Sequence, residues 1–155
     1  MNRRLIASLA IGGALVLTTT GCSMISPQAT TIGYSAAEGT NVHDSGPVEV
    51  RNAQIVANED GSEGNFVAAL VNQTEDSHQL SIEFGEGGTA VTVQVPAKTT
   101  VSLGSDEDEP LLVENLDALP GTDVTTFFQS GEAEGQLVSV PVLDGTLDYL
   151  APLAP

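Results

Sequence analysis

Four basic residues, two histidines, one cysteine and no tryptophan in 155 residues are a thin supply, and each shortage removes a class of function. A single cysteine, Cys22, permits no internal disulfide, so any folded domain must be held by its core alone. Four Lys and Arg against 21 Asp and Glu leave a chain that phosphate backbones repel, which excludes nucleic acid as a partner. Aromatics make up 4% of the chain, so the core is aliphatic and there is no stacking platform for sugars, which weakens a role in binding envelope polymers.

What is present begins with an export signal. Arg3 and Arg4 form a basic start, Leu5 to Leu17 an apolar run of 13 residues, and Thr18 to Gly21 a polar, small-residue close before Cys22. An apolar run that short falls below the roughly 20 residues a membrane-spanning helix needs. Residues 1–21 are therefore expected to be a signal peptide. Gly21-Cys22 resembles the end of a bacterial lipobox, although Thr19 stands where that motif usually has Leu. The thiol of Cys22 is the expected lipid acceptor. The alternative is an ordinary secretory signal that leaves Cys22 as a free thiol.

The acid–base balance sharpens once the signal is set aside. Residues 1–21 hold two of the four basic residues and no acid; from Cys22 onward only Arg51 and Lys98 stand against 21 acids, a formal charge of −19. Anionic headgroups repel such a chain, so lipid must do the anchoring, at the outer face of the cell membrane. Charge of this size suits solubility and basic partners. It also raises the question of disorder. Against disorder, 41% of the chain is hydrophobic, much of it Val, Leu and Ile in short alternating runs.

Residues 22–46 are rich in Ser, Thr, Ala and Gly and are expected to be a lipidated flexible tether, with a reach of roughly 25–30 Å. From Val48 the pattern is strands and turns. Val48 to Ala57 changes parity at Arg51 and Asn52, which suggests a bulge. Phe66 to Asn72 is nearly continuously apolar. Leu80, Ile82 and Phe84 alternate, as do Val91, Val93 and Val95. Thr99 to Leu103, Leu111 to Val113, Val124 to Gln129 and Leu137 to Val142 follow. Glu114 to Leu119 could form one helical turn. The spacing predicts an all-β, immunoglobulin-like or cupredoxin-like sandwich of seven to eight strands over 47–147, then a proline-rich tail over 148–155.

Chemistry-bearing residues are few. No nucleophile motif surrounds any serine, and His43 falls in the expected tether, so no catalytic residues and no enzyme are expected. His78 sits in a turn and reads as an exposed histidine. Copper(I) favours thioether or thiolate ligands with imidazole, and the expected domain lacks them. No metal and no cofactor are expected, although weak binding at His43 or His78 stays open. The run Ser105 to Glu109 offers oxygen ligands but not the spacing of a calcium loop; a solvated acidic loop or a docking patch for a basic partner fits it better. Asn72-Gln73-Thr74 matches a glycosylation sequon, which carries no weight in a bacterial lipoprotein.

Val95-Pro96-Ala97 with Thr99 to Leu103, Leu116 to Gly121, Val124 to Phe128 and Leu137 to Val142 together resemble periplasmic copper chaperones of the PCu(A)C type. In that family a His-x-Met pair precedes the Leu-to-Gly stretch; here the positions are Pro110 and Leu112. The resemblance implies the sandwich fold and argues against the copper site. Gly21-Cys22, the Ser/Thr/Ala tether and the strand Val48 to Val56 more closely resemble the LpqE-like actinobacterial lipoproteins. That resemblance implies a membrane-anchored, non-catalytic accessory or assembly subunit, with the cytochrome bcc–aa3 respiratory supercomplex as protein partner. The alternative it leaves is a copper chaperone serving oxidase assembly.

Overall fold

A computed structural model of the chain describes residues 36–155, together with Ile6, Ala7 and Thr30. Apart from Ile6 and Ala7, the expected signal peptide lies outside the described residues, as do Cys22 and most of the expected tether. Nine strands run through the described part: β1 (Thr40–Val42), β2 (Val48–Ala57), β3 (Glu63–Asn72), β4 (His78–Phe84), β5 (Thr89–Val95), β6 (Thr99–Leu103), β7 (Leu111–Glu114), β8 (Asp123–Ser130) and β9 (Gln136–Leu143). The alternating valines and leucines dictate most of them. In β4 the side chains of Leu80, Ile82 and Phe84 are buried while the residues between are not, the period-two pattern of a strand with one face on a core.

The strands form two facing layers. One holds β1, β2, β3, β6 and β7; the other holds β4, β5, β8 and β9. A short parallel pairing of β2 with β9, Ile55 opposite Val142 and Val56 opposite Leu143, links them along one side. On the other side the path ends at β5 in one layer and at β6 in the other, so the sheet curls without closing. All other strand pairs are antiparallel.

The core is aliphatic with three rings at its centre. Phe66 of β3 meets Phe84 of β4 edge-on, ring centroids 5.2 Å apart at 65°, and lies 6.0 Å from Phe128 of β8. One aromatic from the first layer thus bridges two from the second. Full burial of each such side chain is worth about 1.5–3 kcal/mol, which matters in a domain with no disulfide.

The bulge in β2 is present. Arg51 pairs with Ala69 but Gln54 pairs with Val67, so β2 has one residue more than β3 across the gap. Asn52 takes a left-handed backbone there, φ 52°. Its side-chain oxygen accepts from the Gly39 amide at 2.8 Å, and its amide donates to Asn41 Oδ1 at 2.9 Å. The bulge is therefore the dock for β1. Gly39 is required at this approach, since a Cβ there would stand 2.5 Å from the Asn52 carbonyl carbon.

Three expectations need correction. The sandwich has nine strands rather than seven or eight, because β1 and the fully buried Val42 and Ser45 lie inside the stretch read as tether to residue 46. Composition misled because three residues are too few to show a period, and β1 is held by the bulge rather than by its own pattern. Glu114 to Leu119 forms no helical turn: Asn115 and Asp117 have φ of 55° and 51°, which no right-handed turn permits. The stretch 148–155 is tied down at several points: Leu150 is 2% exposed, Ala151–Leu153 makes one turn of 3₁₀ helix, and Asn65 Nδ2 donates to the Leu153 carbonyl at 2.9 Å.

Candidate docking cleft

The residues singled out from the sequence scatter over the domain. His43 is exposed after β1 in one layer; His78 is half-buried at the start of β4 in the other, opposite Val95. It lines a shallow depression of about 320 Å³ with Ser77, Gln79, Ser81, Thr92, Gln129 and Gly131, among which no other side chain is a strong metal ligand. No group of three His, Cys, Asp or Glu gathers as a cation site among the described residues. The acidic loop after β6 is ordered by its own bonds: Ser105 Oγ accepts from the amides of Glu107 and Asp108, and Asp108 Oδ2 accepts from the Ser102 amide. Asn72, the sequon asparagine, is 1% exposed, and its side chain is spent on the following turn.

A larger concavity lies at the end of the sandwich where β9 leaves β2. Three segments build it. The first is the loop between β7 and β8. Its left-handed Asn115 and Asp117 let Leu116 turn into the core while Leu119 turns out. The loop is fixed by Leu116 and Ala118 amides donating to Ser62 and Gly61 carbonyls at 2.9 and 3.2 Å, and by the Gly121 amide donating to Val142 at 2.8 Å. The second is the turn after β9. Asp144 Oδ1 accepts from the Thr146 hydroxyl at 2.6 Å and the Thr146 amide at 3.1 Å, an Asx turn that throws Leu147 outward. These two bonds hold the Asp144 carboxyl below its usual range. The third is the C-terminal turn, seated by buried Leu150.

Between them lie two adjoining hollows of about 660 and 430 Å³ that share Pro120, Asp144 and Thr146. Leu119 and Leu147, 55% and 49% exposed, stand in their walls. Glu38, Glu59 and Asp144 supply charge, and no Lys or Arg lines either hollow. The two cations of residues 36–155 are engaged elsewhere, Arg51 with Glu49 at 2.7 Å and Lys98 with Glu75 at 3.0 Å. Tyr149 donates its hydroxyl proton to Glu38, which pins the segment before β1 to the C-terminal stretch. Such a cleft offers apolar contact framed by uncompensated carboxylates. Sequence reasoning missed it because Leu119 and Leu147 are each ordinary exposed leucines, and only the topology brings their segments together.

No family model matches the chain, and no curated protein matches it. Among solved structures the fold is similar to the apo PmoF2 PCuAC domain, with TM-score 0.53 at 10% identity over 70% of this chain and 98% of that one. It is likewise similar to the copper-bound PCuAC domain from PmoF2, with TM-score 0.52 at 9% identity over 68% of this chain and 98% of that one. The described domain is thus all-β with the architecture of these domains, a likeness that extends to the fold. Among the described residues no helix is long and apolar enough to cross a membrane.

Proposed function

We propose that the chain is a lipid-anchored, extracytoplasmic accessory protein that performs no catalysis and docks on a membrane complex. In this reading residues 1–21 are removed, Cys22 carries the acyl chains, and the domain reaches its partner from the outer face of the cell membrane. The observation that carries the docking role is the cleft. It sets exposed Leu119 and Leu147 among carboxylates in a domain whose formal charge is −19. Its occupant is a basic, partly apolar segment of the partner, for which charge steers the encounter and the leucines supply contact area. The resemblance to LpqE-like lipoproteins directs the choice of complex to cytochrome bcc–aa3. Affinity purification of the tagged protein from membranes in mild detergent should retrieve cytochrome bcc or oxidase subunits. Recovery of the lipoprotein alone overturns the reading.

A copper chaperone is the second reading, favoured by the likeness in fold to a copper-bound PCuAC domain. The described residues offer it little, since they contain no Met and no Cys and the two histidines lie on different layers. Titration of the purified protein with Cu(I) against a competing chelator separates the two readings. Sub-nanomolar binding that is lost in His78→Ala would establish the carrier and displace the accessory role.

A further inference from the structure

Open sheet edges are a liability, because unpaired backbone groups will accept a strand from another chain. Proteins blunt such edges with charge, proline or bulges. β5 ends one layer and has none of these. Its sequence, Thr89-Ala90-Val91-Thr92-Val93-Gln94-Val95, contains no charge and no proline in a chain with 21 acids. Its pairing with β4 is regular from Phe84 opposite Thr89 to His78 opposite Val95. Beyond β4 it pairs with no strand among the described residues. Val91 and Val93 lie half-buried against the core, while Thr89, Ala90, Thr92 and Gln94 are exposed. A seven-residue strand this regular offers outward N–H and C=O groups at alternate residues, with a fixed register for side chains, as far as its Val95 end, where the Val95 carbonyl already accepts from Asn72 Nδ2 at 3.1 Å.

The ends of the strand say what fits. Glu83 and Glu86 lie at the Thr89 end, on β4 and in the β4–β5 hairpin. Glu75 and Asp76 lie just before His78, at the Val95 end, and the one cation there, Lys98, pairs with Glu75. The neutral strip is thus bounded by carboxylates at both ends, about 20–25 Å apart at strand rise. A second copy is a poor occupant: antiparallel pairing of two β5 strands sets Glu86 of one copy toward Glu75 and Asp76 of the other, and parallel pairing sets Glu86 toward Glu86. Each domain also brings a formal charge of −19.

We infer that the free edge of β5 is a strand-addition site for an extended segment of another protein, uncharged along its middle and carrying Lys or Arg at both ends. Main-chain hydrogen bonds supply the affinity, and the terminal cations meeting the two acidic ends select the partner. The site is separate from the cleft, so it stands or falls independently of the accessory role.

The test uses full-length protein in mild detergent and a synthetic octapeptide probe of alternating threonine and valine between two terminal lysines. Hydrogen exchange is read at single amides. At 100 times its Kd the probe should slow exchange of the outward-facing β5 amides by about 100-fold, and leave β9 unchanged. A probe N-methylated at alternate residues of its pairing edge, or one with terminal glutamates, should give no slowing. Equal slowing by either control overturns the proposal. So does the absence of any β5 change at millimolar probe, and so does concentration-dependent protection of β5 in the protein alone, which would make a second copy the occupant.

Discussion

Asn72, at the end of β3, donates its side-chain amide to the carbonyl of Val95, at the end of β5, over 3.1 Å. The same amide reaches the carbonyls of Pro96 at 3.0 Å and Asp76 at 2.8 Å, while its oxygen accepts from the amide and hydroxyl of Thr74. One buried side chain thereby joins the two layers on the side where no strand pairing does. Asn72→Ala leaves the buried Val95 carbonyl and the part-buried Pro96 and Asp76 carbonyls without their donor, and the expected cost is about 1–3 kcal/mol. Chemical denaturation checks this. Asn72→Asp should cost at least as much, because a carboxylate would face three carbonyl oxygens. A loss within about 0.5 kcal/mol in both variants, the range of an ordinary surface substitution, would show that the Asn72 bonds add nothing to the β2–β9 pairing and the shared core in holding the layers together.

Tyr149 gives a prediction on the alkaline side. Its hydroxyl bonds to the Glu38 carboxylate, and this bond, with smaller contributions from desolvation and from the carboxylate's charge, raises its pKa above the ordinary 10.0. A folded pKa raised above the unfolded one stabilises fully below about pH 10 and loses that contribution as pH rises through the folded value. In a Tyr34→Phe background only one tyrosine remains, so near-ultraviolet absorbance of the phenolate reports Tyr149 alone. Its titration should lie above the ordinary value of 10.0 and fall back toward it in Glu38→Ala. Titration at the same pH with and without Glu38 would dissolve the tie between the two ends of the domain.

Much of this fold was legible in the residues themselves. Val91, Val93 and Val95 announce β5 because a half-buried strand has a period of two, and the parity change at Arg51 and Asn52 announces the bulge. What the bulge does was not legible, because β1 is recognised by Asn52 and Gly39 at a distance rather than by its own three residues. Leu116 and Leu119 were ambiguous for a related reason. Their spacing suits a helix, and the left-handed Asn115 and Asp117 that exclude it are set by bonds to Gly61 and Ser62, far away in sequence. The cleft is a further step removed, since it needs the pairing of β9 with β2 to exist.

The cleft makes its own prediction. Leu147 and Leu112 are equally exposed, at 49%, but only Leu147 lines the hollows. Aspartate at either position adds the same charge to a surface site and should shift stability by no more than about 0.5 kcal/mol. Leu147→Asp should lose the retained membrane-complex subunits on affinity purification, while Leu112→Asp should keep them. Equal retention by the two variants removes the cleft from the interface.

The anchor rests on Cys22 and can be tested apart from everything above. Burial of acyl chains is worth about 0.8 kcal/mol per CH₂, and one chain of ordinary length gives only reversible attachment. A domain with 19 excess negative charges gains nothing from anionic headgroups to supplement it. Stable attachment therefore requires at least two chains on the same residue. Cells grown with an alkyne-labelled palmitate should yield a labelled protein, and mass spectrometry of its N-terminal fragment should begin at Cys22 with at least a diacylglycerol adduct. Cys22→Ser should abolish both the label and the cleavage before residue 22. Pelleting alone does not decide the question, because an uncut signal peptide also holds a chain at the membrane. An unlabelled native protein that begins at residue 22 with a free thiol would instead make Cys22 an exported, unpaired cysteine.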